Sequence, residues 1–196
     1  MTTDPEAENA KILPDLPVRF ELKDGRECVV RSVVEDDAAD FCRLLPQSHR
    51  ESDFLNYLPG EFDWTVEKER EFIRDQLAMP RTILLCAVVD GAIAGFGGGM
   101  SNTQHKRLSH HAEFGLAVLK EFWAQGIGRK LCEIIIDWGR RLELRKMCLK
   151  VFADNTGAIA LYEKLGFIEE GRLKDDWLRG DGSFGDSIIM ARFYEG

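Results

Sequence analysis

Long apolar runs and an excess of basic residues are both missing from this sequence of 196 residues. The longest uninterrupted apolar run, Ile83 to Val89, is far shorter than the roughly 20 residues that cross a bilayer. Lys and Arg number 26 against 34 Asp and Glu, and a net charge of −8 argues against the basic surface that nucleic-acid binding needs. The start, MTTDPEAENA, is acidic and polar, unlike a secretory signal. We therefore expect neither a membrane nor a nucleic acid as a partner.

The patterns of metal sites and of common nucleotide sites are missing as well. The histidines at 105, 110 and 111 have no cysteine or carboxylate spacing that completes a zinc site, so we expect no metal. GxGxxG is not completed after Gly126, because position 131 is Leu, and GxxxxGK[ST] is absent. The five cysteines show no CxxC spacing, which predicts buried, reduced thiols in a cytoplasmic protein.

The hydrophobic pattern predicts one mixed α/β domain over residues 18–196, preceded by a loose polar tail at 1–17. Strands are expected near 18–30, 82–100, 110–119, 146–152, 167–171 and 187–193, and helices near 35–46, 65–80, 126–142 and 155–165. Pro46 is predicted to end the first helix, and a polar loop is predicted around 175–185. The glycine run at 97–99 indicates a bulge or a close approach of other atoms to the backbone.

The stretch from Glu113 to Lys130 reads as a strand, a short turn and a helix that begins inside Gly126-Ile127-Gly128. The first N–H groups of a helix are unpaired and carry a partial positive charge, and glycine lets an anion come close to them. These features predict a cradle for phosphate groups, to which Arg129 and Lys130 add formal charge. The same pattern is also typical of a plain tight turn from a strand into a helix.

Asn155 and Tyr162 are seven residues apart in a predicted short helix, so both lie on one helical face. A tyrosine hydroxyl can donate a proton to a leaving thiolate or alkoxide. The structural alternative is that Asn155 caps the helix and Tyr162 packs in the core. The residues alone leave both interpretations open.

Together, the two segments resemble the GCN5-related N-acetyltransferase (GNAT) superfamily. Glu113 to Lys130 is similar to that family's strand, pyrophosphate loop and helix, and Asn155 through Tyr162 to Gly166-Phe167 is similar to its N…AxxLYxKxGF segment. The resemblance covers about nine-tenths of the chain. It implies a single-domain α/β fold with a mixed, mostly antiparallel sheet of about seven strands, splayed at the central strand and flanked by about four helices.

The resemblance also implies an activity, the transfer of an acetyl group from acetyl-CoA, as co-substrate, to a primary amine by direct attack. Backbone groups that end the central strand would bind the pantetheine arm, namely those of Leu116, Ala117 and Val118. Backbone N–H groups of the following turn would hold the diphosphate, namely those of Gln125, Gly126, Ile127, Gly128 and Arg129. Asn155 would contact the CoA arm, and Tyr162 would protonate the departing thiolate.

Two positions depart from the family pattern. Trp123 stands where the family often has Arg or Gln, but the loop works through its backbone, so we expect binding to persist. Lys150 stands where the ribosomal-protein-alanine branch has its base glutamate, which argues against that branch. Other members carry a glutamate on the central strand, which makes Glu113 the candidate base, since a charge in a covered strand needs an explanation. Alternatively, Glu113 lies at a strand edge or pairs with a cation such as His111.

The sequence does not identify the acceptor, for which a small amine or polyamine, an amino acid, an antibiotic amine or a protein N-terminus all remain open. The aromatic residues Phe54, Tyr57, Phe62 and Trp64 could line its pocket or belong to the core. The aspartates at 175, 176, 181 and 186 could attract a cationic acceptor or form a solvated loop. The alternative function is a non-catalytic acyl-CoA-binding sensor, which would keep the loop without needing Tyr162 or a base. The resemblance also allows a homodimer.

Overall fold

The computed structural model describes residues 13–58, 60–101 and 105–195 of the chain. Its strands are β1 (Val18–Glu21), β2 (Glu27–Ser32), β3 (Thr82–Val89), β4 (Ala92–Ser101), β5 (His111–Val118), β6 (Lys146–Phe152), β7 (Ile168–Leu178) and β8 (Phe184–Phe193). Its α-helices are α1 (Ala38–Glu51), α2 (Val66–Ala78), α3 (Ile127–Arg141) and α4 (Thr156–Lys164). Two short 3-10 turns occupy Glu35–Asp37 and Lys120–Phe122.

All strands join one sheet in the order β1-β2-β3-β4-β5-β6-β8-β7. Neighbouring strands are antiparallel except β5 and β6, which run parallel. The predicted mixed, mostly antiparallel α/β sheet is confirmed, with eight strands among the described residues where about seven were expected.

Helices cover both faces of the sheet. α3 packs on one face, where a Cβ on Gly99 would lie 3.1 Å from the Trp138 ring and one on Gly97 would lie 3.3 Å from Ile135. The predicted close approach at the glycine run is therefore confirmed. Consecutive strand residues point to opposite faces of a sheet, so Phe96 points away from the face of Gly97 and Gly99. α1 packs on this opposite face, where the rings of Phe41 and Phe96 meet edge-on with 5.5 Å between their centroids. We call these two surfaces the α3 face and the α1 face.

Two predictions about element ends were wrong. Pro46 lies inside α1, which continues to Glu51. A proline inside a helix removes one backbone hydrogen bond, but Ser48 and His49 beyond it are buried, and this packing holds the last turns in place. The predicted loop at 175–185 is shorter, because β7 extends to Leu178 and β8 begins at Phe184. A register shift between Leu173 and Trp177 takes the polar residues of β7 out of the regular pairing.

The last residues of the predicted tail contact the folded domain. Leu13 and Leu16, at the end of the predicted tail, pack against the core, whereas residues 1–12 lie outside the described part of the chain.

The five cysteines are free thiols, and Cys28, Cys86 and Cys132 are buried. No helix in the described ranges is both long and apolar enough to cross a bilayer.

Candidate active site

The sheet opens into a fork between β5 and β6. These parallel strands pair only at three positions, the last of which joins Glu113 to Cys148. β5 continues to pair with β4 as far as Val118, and β6 continues to pair with β8 as far as Phe152. The two strands therefore diverge beyond Glu113 and Cys148, as the predicted splay requires, and each leaves backbone groups unpaired along the gap.

Alternation along β5 decides which backbone groups face the gap. The Leu119 N–H donates to the Ala94 carbonyl of β4 at 2.9 Å, and the Ala117 carbonyl lies 2.9 Å from where a Cβ on Gly95 would be. The backbone N–H and C=O groups of the odd-numbered residues therefore point toward β4, and those of Leu116 and Val118 point into the gap. Of the three predicted positions, the geometry favours Leu116 and Val118, and the backbone of Ala117 is turned toward β4.

Trp123 closes the end of this gap. Its indole N–H donates to the Val118 carbonyl at 2.7 Å, while its ring remains exposed to solvent. The departure from the family pattern at Trp123 therefore has a structural use, because the last gap-facing carbonyl of β5 receives a partner. The N–H of Val118 and the backbone of Leu116 remain for a ligand.

The turn that follows β5 presents unpaired amides at the start of α3. Gly126 precedes the helix with φ 109, which favours glycine, and supplies no side-chain cap. The first helical bond is made by the Lys130 N–H, which donates to the Gly126 carbonyl at 3.0 Å. The N–H groups of Ile127, Gly128 and Arg129 consequently lack partners within the helix and carry the positive end of its dipole. The Gln125 N–H already donates to the Phe122 carbonyl at 3.4 Å.

The charged side chains beside these amides are partly neutralised. Lys130 lies 3.1 Å and Arg129 3.8 Å from the Glu133 carboxylate, one turn further along α3. Both cations are substantially exposed, so these pairs contribute little stability. An anion at this turn would therefore meet these two cations in addition to the unpaired backbone N–H groups.

Tyr162 lies on the α3 face of the fork. Its side chain is only 7% exposed, and its ring meets Phe114 of β5 edge-on at 6.0 Å and Phe167 at 5.9 Å. Burial raises the pKa of Tyr162, so the hydroxyl keeps its proton at neutral pH. The ring belongs to the core, as the structural alternative proposed, yet it also contacts Phe114, which directly follows Glu113, the last paired residue of β5 at the fork.

Asn155 caps α4, because its side-chain oxygen accepts the Ala158 N–H at 3.2 Å. This interaction leaves the side-chain NH2 group for other contacts. α4 lies directly beside the amide turn, since a Cβ on Gly128 would be 3.7 Å from Leu161. The two motifs of the sequence are thus brought together in space.

Glu113 lies on the α1 face, opposite to Phe114 and Tyr162. Its side chain is exposed, and no described cation, His111 included, forms an ion pair with it. The expectation that both faces of β5 are covered at this position was wrong, because the α1 face is open here. The next residue on that face is Gly115, which is exposed and has no atom within 4 Å of where a Cβ would be.

An aromatic wall of three rings lies on the α1 face, beyond the fork. Phe152, at the end of β6, stacks on Trp177 with 4.5 Å between ring centroids and meets Phe54 at 5.7 Å. Lys150, also on this face of β6, lies 3.0 Å from the Asp176 carboxylate and 4.9 Å from the Trp177 ring. The aromatic wall and the paired lysine therefore lie along β6 on the same face of the sheet as Glu113.

The four predicted aromatic residues do not form one pocket. Phe54 belongs to the aromatic wall, and Tyr57 lines a small cavity together with Phe152 and Trp177. Tyr57, Phe62 and Trp64 also form a chain of ring contacts with His49, which continues to Phe72 of α2. The sequence did not identify Phe152 and Trp177 as residues of the site. Phe152 appeared only as an aromatic residue at the end of a predicted strand, and Trp177 only as one inside a predicted loop.

The aspartates near the last strands are mostly engaged locally. Asp176 accepts hydrogen bonds from Ser187 and Lys150, which lower its pKa. The Asp175 N–H and Arg172 both donate to Asp186 and lower its pKa. Asp181 accepts from Ser183. Two of the four carboxylates, those of Asp176 and Asp186, are thus neutralised by ion pairs with Lys150 and Arg172.

The fork, the amide turn and the tyrosine define an acyltransferase type of α/β fold, and comparisons with known proteins agree. The model of the Acetyltransferase (GNAT) family matches residues 44–167, and the chain belongs to this family. An acetyltransferase of the GNAT family from Streptococcus pneumoniae shares 28% identity and superposes with a TM-score of 0.79 over 85% of this chain and 99% of that one.

Two curated relatives come from Escherichia coli (strain K12). The L-amino acid N-acetyltransferase AaaT is 35% identical over 112 residues, which span 55% of this chain and 66% of that protein. The [Ribosomal protein bS18]-alanine N-acetyltransferase is 41% identical over 78 residues, which span 40% of this chain and 52% of that protein. A putative acetyltransferase from Salmonella typhimurium, yncA, determined with its cofactor acetyl-CoA, shares the fold at 16% identity, with a TM-score of 0.75 over 86% of this chain and 95% of that one.

Proposed function

We propose that this protein is an N-acetyltransferase that transfers the acetyl group of acetyl-CoA to a primary amine. The observation that carries the proposal is the meeting of a sheet fork, an uncapped helix start and Tyr162 within one site. The relatives named as N-acetyltransferases support the same reaction class.

The residues present fit acetyl-CoA. The glycine at 126 and the free amides of α3 form a cradle that suits a diphosphate, and the gap-facing backbone of Leu116 and Val118 suits an extended arm with amide groups. We assign the NH2 group of Asn155 to the same arm. Acetyl-CoA supplies the activated acetyl group as a thioester.

Residues on the two faces of the fork divide the proton transfers. Glu113, on the α1 face, accepts a proton from the acceptor ammonium through one water molecule. The neutral amine then forms a C–N bond with the acetyl carbon while the C–S bond breaks. A backbone N–H of the gap polarises the carbonyl, and Tyr162, on the α3 face, donates its proton to the departing sulfur. The nitrogen of the new amide then releases its extra proton, which passes through water to the Tyr162 phenolate, so that CoA leaves as the thiol and the tyrosine is restored. Much of the rate enhancement comes from holding the two reactants in line.

We propose that the acceptor enters along the α1 face, over Gly115. The open space at this glycine, the exposed Glu113 and the aromatic wall of Phe152 and Trp177 support this route. Lys150 is held by Asp176, so it presents no unpaired positive charge to a cationic acceptor on this face. Small amines, polyamines, amino acids, antibiotic amines and protein N-termini are the acceptor classes to be compared.

A screen of these amines tests the function. Release of free CoA thiol in the presence of acetyl-CoA and one class of amine is the expected result. Failure of the wild-type chain to bind acetyl-CoA at millimolar concentration would contradict the proposal.

We further propose that the protein acts in a reducing cytoplasm and as a homodimer. The free cysteines support the reducing setting. The outer strand β7 exposes Ile168, Leu173 and Leu178, apolar surface that a second copy would cover. Light scattering tests the dimer, for which twice the 22.3 kDa chain mass is expected, and cell fractionation tests the compartment.

A further inference from the structure

Glu51, the last residue of α1, makes a long-range hydrogen bond to the connection that follows β5. Its Oε2 accepts the Lys120 backbone N–H at 2.8 Å, across 69 residues of sequence. Its Oε1 accepts the side-chain NH2 of Gln47 at 2.8 Å, one turn earlier in α1. Both carboxylate oxygens are thus engaged, which fixes the side chain in one orientation.

The position of Glu51 is unfavourable for α1 itself. A carboxylate in the last turn of a helix faces the negative end of the helix dipole. The Lys120 N–H, in contrast, begins the 3-10 turn Lys120–Phe122, whose preceding residue Leu119 gives no side-chain cap. Glu51 therefore supplies the cap that this turn lacks, and a charged acceptor makes such a bond strong.

The bond joins the two halves of the proposed site. After Lys120–Phe122, the chain passes through Trp123 and Ala124 (φ 60) to Gly126 and the free amides of α3. After Glu51, the chain enters the segment 52–64, which contributes Phe54 to the aromatic wall on the proposed acceptor side. The carboxylate of Glu51 thus links the end of α1 directly to the start of the amide turn.

We propose that Glu51 is a positioning residue that fixes the amide turn relative to the acceptor side, and that acetyl-CoA binding depends on its bond to Lys120. This inference rests on the proposed function. Without the bond, the turn samples other conformations, and ordering it again on binding reduces affinity. Glu51 touches neither reactant, so its loss is expected to affect acetyl-CoA binding more than the chemical step.

Three variants test this role. Glu51→Ala removes the acceptor of the Lys120 N–H, whereas Glu51→Gln keeps an oxygen at the same distance. Glu61→Ala is the matched control, because the Glu61 Oε2 also accepts a backbone N–H, that of Leu58 at 2.7 Å, but entirely within the segment 52–64. Calorimetry gives the acetyl-CoA dissociation constant of each variant, and steady-state kinetics gives kcat at saturating acetyl-CoA.

We expect Glu51→Ala to raise the dissociation constant about five- to twentyfold while kcat falls less than about twofold. Glu51→Gln is expected within about threefold of wild type, and Glu61→Ala within about twofold. If Glu51→Ala does not fold, Glu51→Met replaces it, since methionine has similar length and no strong acceptor. Wild-type acetyl-CoA affinity in Glu51→Ala or Glu51→Met, or equal losses of this affinity in Glu51→Gln and Glu51→Ala, would overturn the proposed role of Glu51. Either result would leave the proposed function standing. A wild-type chain that binds no acetyl-CoA would overturn the proposed function with it.

Discussion

Glu113 and Cys148 face each other at the last paired position of the two parallel strands, and the sheet opens directly beyond them. Glu113 is exposed on the α1 face, whereas the next residue, Phe114, points to the α3 face and meets Tyr162. The candidate base and the candidate acid thus lie on opposite faces of one strand. This arrangement lets two reactants approach the same point from the two sides of the sheet.

Replacing Glu113 with glutamine is expected to reduce kcat at saturating acetyl-CoA by about 10²-fold, because the amide cannot accept a proton. The dissociation constant for acetyl-CoA is expected to stay within about twofold, since Glu113 lies on the other face. Steady-state kinetics with the best amine of the screen measures the effect. Glu169→Gln, at another exposed strand glutamate, is the control. Equal activity of the two variants would remove Glu113 as the base.

Tyr162→Phe separates the enzyme from the non-catalytic sensor. We expect kcat to fall by at least about tenfold, because the proton donor is lost while the buried ring is kept. Because burial raises the pKa of Tyr162, the donor keeps its proton as pH rises past the ordinary tyrosine value, so Tyr162 itself causes no loss of activity between neutral pH and that value. Acetyl-CoA affinity and pH–rate profiles measure both points. An unchanged turnover would leave the tyrosine as a core residue only.

The two glycines of the amide turn are expected to differ in their tolerance of alanine. Gly126 has φ 109, so alanine there costs about 1–2 kcal/mol and disturbs the free amides. At Gly128 a Cβ would meet its nearest neighbours at ordinary distances of 3.7–4.0 Å. We expect Gly126→Ala to lower the melting temperature by several degrees and to weaken acetyl-CoA binding, and Gly128→Ala to leave the melting temperature unchanged. Thermal unfolding and calorimetry measure the two effects, and wild-type acetyl-CoA affinity of Gly126→Ala would argue against a backbone cradle.

Gly115→Val tests the route of the acceptor. The space at Gly115 is open, and valine is the better strand residue, so the melting temperature is not expected to fall. The added side chain occupies the open space next to Glu113, on the proposed route of the acceptor, and we expect the kcat/KM of the amine to fall at least about tenfold with unchanged acetyl-CoA affinity. Gly171→Val, at an equally open strand glycine in β7, is the matched control. Full activity of Gly115→Val would require a different route for the acceptor.

Glu69 predicts a pH dependence of stability. Its side chain in α2 is 3% exposed, its Oε2 has no described partner, and burial raises its pKa from 4.5 to about 7. The folded state therefore holds this proton more tightly than the unfolded state, and stability is lost as the pH rises from about 4.5 to about 7. The loss is at most about 3 kcal/mol.

Thermal unfolding of the wild type and Glu69→Gln at pH 5 and pH 8 measures this effect. The variant is expected to lose fewer degrees than the wild type between the two values, because glutamine does not titrate. Parallel losses in the two proteins would show that Glu69 does not carry the pH dependence.

The sequence predicted those parts of the site that depend on local pattern. The apolar stripe of α3 and the glycines at its start predicted the position of the amide turn, and the pattern from Asn155 to Gly166 predicted α4. The spacing did not show that α4 lies beside the turn, because that contact joins segments distant in sequence. Glu51 could not be found in this way, because its partner is a backbone N–H distant in sequence. Trp177 was assigned to a loop, since its strand is irregular and its packing partner, Phe152, lies on another strand.

The position of Pro46 shows the limit of residue propensities. A proline normally ends a helix, yet the burial of Ser48 and His49 on the far side holds α1 together. Similarly, the exposure of Glu113 depends on how far α1 and the segment 52–64 cover the sheet. The residue pattern of β5 does not predict the extent of this cover.

The most direct test of the account is a crystal structure of the wild-type chain with acetyl-CoA. The account predicts diphosphate oxygens within hydrogen-bond distance of the Ile127, Gly128 and Arg129 amides, and the thioester beside Leu116 and Val118 in the fork. A diphosphate bound elsewhere, with these amides contacting only water or protein atoms, would contradict it.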